Sequence, residues 1–135
     1  MSEPNLKELW ERRAEDERSG KSPEERDFGI FDEISAQAEL SGDLKGYFGD
    51  LKDAIVRYGE LVATYERHLG TENVSRADES RRITHNALVD KLNILSRESV
   101  KAGLDNSWRK DIGDSREQIG EWAKHVAGML QKMPV

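Results

Sequence analysis

Three histidines, His68, His85 and His125, are the residues of this chain best suited to hold a ligand or move a proton. An imidazole titrates near neutrality and is a common nitrogen ligand of metal ions. Glu121 stands four residues before His125, so on a helix the two share a face, while Glu66 and Glu79 lie close to His68 and His85 in the chain. If the segments that carry them are antiparallel helices, counting back from their connections brings all three imidazoles toward one end of a bundle. His68, His85, Glu121 and His125 then make a candidate site for zinc or another divalent ion. The set lacks the Glu-x-x-His pairs of di-iron bundles, and no His-Glu-x-x-His is present. The competing expectation is plainer: His85 is a core-edge histidine with one hydrogen-bond partner, and the other two are solvated.

A second group is a polar row. Arg82, Asn86, Asp90, Asn93 and Arg97 follow spacings of four, four, three and four, which put them on one side of a helix. Such a row is either a solvated face or a recognition surface for a protein partner or a second copy of the chain. Trp10, in a highly charged segment, is a further candidate contact residue. No Gly-x-Ser-x-Gly elbow, phosphate-cradling loop or cofactor fingerprint occurs, so no catalytic residue and no cofactor is expected.

The elements that must position these residues are helices. Ser19 to Ser22 is a break, and Pro23 suits a first helical turn, followed by Glu24, Glu25 and Asp27 at the positive end of the helix dipole. Phe28, Phe31, Ile34 and Ala38 form its apolar stripe, which ends near Ser41-Gly42. Leu44, Phe48, Leu51, Ile55, Tyr58, Val62, Tyr65 and Leu69 alternate by four and three, the seam of a long helix among antiparallel neighbours. Gly46 and Gly49 weaken its start, so residues 43–49 are either its first turns or a separate turn. After Gly70, Ser75 or Asp78 can cap a helix with Leu88, Leu92, Leu95 and Ala102 on its inner face, widened by Ile83, Ala87 and Ile94. Residues 103–113 connect it to the last helix, with Trp108 and Ile112 free to cover one end of the core. That last helix carries Ile119, Trp122, Val126, Met129 and Met133, has a capping box at Ser115 and Gln118, and stops at Pro134. The expected architecture is all-α: an up-down bundle of three long helices with one or two shorter N-terminal ones. Residues 1–22 form a polar arm that can hold a short helix capped by Asn5, and residues 23–135 form one domain.

Composition narrows the partners. The 135 residues include 21 basic and 27 acidic ones, a net charge of -6, and the signs are interleaved rather than clustered. A nucleic-acid binder needs a concentrated basic surface, so no nucleic acid is expected. With no cysteine the chain has no thiol catalysis, disulfide or thiolate metal site. It has neither an apolar signal segment nor a membrane-length run, which points to a cytoplasmic protein without membrane contact.

Residues 82–97, Arg-Ile-Thr-His-Asn-Ala-Leu-Val-Asp-Lys-Leu-Asn-Ile-Leu-Ser-Arg, resemble the most conspicuous helix of a small family of bacterial helical proteins, a domain of unknown function. That helix has a His-Asn-Ala-Leu core, then Asn-Ile-Leu and a closing arginine. The resemblance covers about one helix; it implies a helical, cytoplasmic bacterial protein and carries no activity. It draws attention to His85, Asn86, Asn93 and Arg97. Three functional expectations follow. The first is a non-enzymatic interaction or regulatory module, homodimeric or bound to a protein partner. The second is a metal- or small-ligand-binding bundle built on His85 with neighbouring His and Glu residues. The third is a small acidic inhibitor or immunity-type protein that neutralises a basic partner.

Overall fold

The computed structural model describes residues 22–132. Trp10 and the rest of the N-terminal arm up to residue 21, with Met133 and Pro134, lie outside the described residues. Among the described residues five helices follow one another: α1 (Pro23–Ala38), α2 (Gly42–Arg67), α3 (Val74–Lys101), α4 (Trp108–Ile112) and α5 (Arg116–Lys132). No strand occurs among the described residues, and the fold is an all-α helical bundle. None of these helices is long and apolar enough to cross a membrane.

Local chemistry sets the helix ends. Ser22 accepts a hydrogen bond at its hydroxyl from the Glu25 backbone N–H (3.1 Å), with Pro23 in the first turn of α1. At the start of α5 the capping box is complete: the Gln118 N–H donates to the Ser115 hydroxyl (3.0 Å) and the Ser115 N–H to the Gln118 amide oxygen (3.1 Å). The α2–α3 turn departs from expectation. The Thr71 hydroxyl donates to the carbonyl of His68 (2.6 Å), the chain turns through Gly70 at φ 79°, and α3 starts at Val74 behind Asn73. Neither Ser75 nor Asp78 is the cap, and Asp78 instead pairs with Arg81 (2.6 Å) and Arg82 (3.4 Å).

The central element is α2, packed along α3 and crossed by α5 and α1. Its helix is continuous from Gly42, so residues 43–49 are no separate turn. Burial of Leu44 and the stacking of Phe48 on Phe31 (ring centroids 5.1 Å apart) outweigh the helix penalty of Gly46 and Gly49. Two close approaches fix the α2–α5 crossing: a methyl group on Gly59 would meet the Ala127 Cβ at 2.6 Å, and one on Gly120 would meet the Tyr58 hydroxyl at 2.8 Å. The core joins Ile30, Phe31 and Ile34 of α1 to Leu51 and Ile55 of α2, Leu88, Leu92 and Leu95 of α3, and Ile119, Trp122 and Val126 of α5. Trp108 and Ile112 close one end as expected, but from a short helix of their own.

Ile83 and Ala87 do not widen the inner face. With Leu88, Leu92 and Leu95 turned to the core, Ile83 falls about 140° away at 100° per residue, and its side chain is 62% exposed. Leu69 (56% exposed) and Ala102 sit past the ends of their helices and are exposed too.

Candidate functional site

His85 and His125 come together at one cavity, and His68 does not. The cavity has a volume of about 680 Å³. Its floor is Tyr58 and Val62 of α2, one wall is α3 with Arg81, Arg82 and His85, and the facing wall is α5 with Glu24 of α1 beside it. Gly120 of α5 lines it, and any larger residue there would strike the Tyr58 phenol. His68 caps the far end of α2 and takes no part in the lining.

Each imidazole is fixed by a partner that can only accept. The Nε2–H of His85 donates to the backbone carbonyl of Arg116 (3.0 Å), and the Tyr58 ring meets it edge-on with centroids 5.6 Å apart. The Nδ1–H of His125 donates to the Asp27 carboxylate (2.6 Å), whose side chain is only 7% exposed. Asp27 holds α5 twice, because its main-chain carbonyl also accepts the indole N–H of Trp122 (3.0 Å). Arg26 reaches the other carboxylate oxygen at 3.3 Å and balances its charge. With Nδ1 committed, the His125 Nε2 edge is left toward Glu24 Oε1 (3.8 Å) and Glu121 Oε1 (3.9 Å), both on the cavity.

In the sequence Asp27 passes for one more acid of a first helical turn. A better signal was available: positions 27, 31, 34 and 38 keep the four-three spacing of the buried stripe, and an acid on that stripe needs a partner.

Electrostatics divide the walls. Asp78 serves both Arg81 and Arg82, so the α3 wall retains excess positive charge. The Arg81 guanidinium is held above its usual range by the hydrogen bond to Asp78 first, and it lies 5.2 Å from the Tyr65 ring centroid. On the other side, Lys124 is drawn to Glu66 of α2 (3.1 Å) and Arg116 to the Asn86 amide oxygen (3.0 Å). That leaves Glu24, Glu117 and Glu121 to dominate the α5–α1 wall. The Glu24 carboxyl is held below its ordinary range, first by its own backbone N–H at the helix start, with His125 adding to the effect.

Comparison with protein-family models, with curated proteins and with solved structures found no match.

The remaining candidates separate. Among the described residues no group of three or more histidines and carboxylates is placed to hold a metal ion, so His68, His85, Glu121 and His125 do not form the expected set. The reason is geometric: His68 sits past the last turn of α2 and takes no part in the cavity that His85, Glu121 and His125 line. In the polar row, Asn86 accepts from Arg116 and Asn93 from Arg109 (3.0 Å), so these amides tie the α4–α5 segment to α3. Arg82, Asp90 and Arg97 remain exposed.

Proposed function

We propose that this chain is a non-enzymatic, cytoplasmic binding module whose ligand site is the cavity between α3 and α5. The observation that carries this reading is the His125 imidazole, locked by a buried Asp27 and directed into a polar cavity that also holds His85. Oriented polar groups converging on a concave site are the usual mark of a small-molecule pocket. Amide chemical shifts of the full chain, recorded with a library of small polar molecules, test the reading. Changes should cluster at Tyr58, Val62, His85 and Gly120 and vanish in Glu121→Trp, which plugs the mouth from an exposed position. Shifts scattered over the surface, or unchanged in that variant, would remove the cavity from consideration.

A second reading is favoured by one observation, the exposure of Ile83 and Ala87 on the outer face of α3. Contact there with a protein partner or a second copy should be abolished by Ile83→Asp, with light scattering as the readout for self-association.

A further inference from the structure

Resting on the cavity reading above, we infer that the ligand is a zwitterion of the amino-acid type, a free α-amino acid or a short peptide, held across the cavity with its ammonium group at His125 and its carboxylate at the arginines of α3.

The ammonium end is the better defined. A primary ammonium has three N–H donors and no acceptor, so it needs three acceptors on one side of it. In its neutral form, with Asp27 taking the Nδ1–H, His125 presents Nε2 as an acceptor, and Glu24 Oε1 lies 3.8 Å and Glu121 Oε1 3.9 Å from that nitrogen. Acceptors gathered around one ammonium nitrogen at hydrogen-bond distance stand about 4.7 Å apart when the geometry is ideal. Both glutamates are at least half exposed, at 50% and 69%, so they can open by the small amount required. Lys124, the one lysine among the lining residues, is engaged with Glu66 instead.

The carboxylate end lies on the α3 wall. Arg81 and Arg82 share the single carboxylate of Asp78, and the exposed Arg82 is the freer of the two to turn toward an incoming carboxylate. Arg116 of α5 reaches over to the same side, where its guanidinium is tied only to the neutral amide of Asn86. A simple anion would meet Glu117 and Glu121 on the opposite wall, and a simple amine would meet the arginines. A molecule with both charges satisfies the two walls together, while Tyr58 and Val62 offer an apolar floor to its side chain.

The test is a chemical-shift titration of the full chain with L-leucine and L-leucyl-L-leucine, beside 4-methylpentanoate, which lacks the amine, and 3-methylbutylamine, which lacks the carboxylate. At least one zwitterion should shift the amides of Tyr58, His85 and Gly120, with each singly charged analogue binding about tenfold or more weakly. Glu121→Gln and Arg82→Gln, both at exposed positions, should each weaken the zwitterion by a similar factor. Analogue binding equal to that of the zwitterion overturns the inference and leaves the cavity reading intact. No response to either zwitterion at about 10 mM also overturns it, since Kd then exceeds the range in which such contacts contribute. The small-molecule library then decides the cavity reading by itself.

Discussion

Replacing Gly59 with alanine puts a methyl group where α2 and α5 leave no space for one. The new Cβ would lie 2.6 Å from the Ala127 Cβ, against about 3.5–4.0 Å for ordinary carbon contacts, so the crossing must open by about 1 Å. Forcing extra volume into a packed contact costs about 1–3 kcal/mol. Alanine is also the better helix former by about 1 kcal/mol, so the net effect of Gly59→Ala is a loss of about 0–2 kcal/mol. The same helix supplies its own controls. Nothing lies within 4 Å of a methyl group at Gly46 or Gly49, so Gly46→Ala and Gly49→Ala should each stabilise by about 1 kcal/mol. Urea unfolding followed by circular dichroism measures all three. Adding Ala127→Gly to Gly59→Ala returns the space, and the double variant should recover most of the clash. If Gly59→Ala stabilises as much as its neighbours do, or the two positions show no coupling, the close α2–α5 crossing is wrong.

Four other outcomes follow from the same geometry. Asp27→Ala should cost about 2–3 kcal/mol in urea unfolding by stripping a charged, buried hydrogen bond from His125, and His125→Ala added to it should cost little more. Ser115→Ala removes one half of the α5 capping box and should lower stability by about 1 kcal/mol, with faster amide exchange confined to residues 116–119. Gly113 adopts φ 105° beside the Gln118 side chain, so Gly113→Ala should cost about 1–3 kcal/mol, read as a drop in Tm. Because the Glu24 carboxyl is depressed, its contribution is present above the ordinary value of 4.5 and lost as pH falls below it. Glu24→Gln should therefore be less stable than the parent at neutral pH and equal to it in acid; a gap that persists in acid would point to a steric cause instead.

The bundle was legible because its seams are strongly periodic: Leu51, Ile55 and Tyr58, or Leu88, Leu92 and Leu95, can face only one way on a helix. Ile83 departs from the inner face for a related reason. Apolar character marks a residue as suited to a core without saying which side of the helix meets one, and among the described residues no helix lies over the outer side of α3. Counting along antiparallel helices brought His85 and His125 to one cavity but failed for His68, because the turn carries it off the end of α2. The partners of those histidines were not legible at all. A backbone carbonyl at Arg116 has no sequence signature, and Asp27 is separated from His125 by 98 positions.

That separation bears on the order in which the molecule is made. Asp27 grips Trp122 and His125 across 95 and 98 residues, the longest-range hydrogen bonds described in the chain. Local helical hairpins close quickly, whereas contacts between distant positions wait for the intervening chain to be organised. During synthesis α2 and α3 can pair while α5 is still absent, so a nascent chain carries a half-built bundle with an apolar α1 stripe and no cavity. The cavity then forms late and all at once, when α5 docks and one aspartate clasps it to the first described helix.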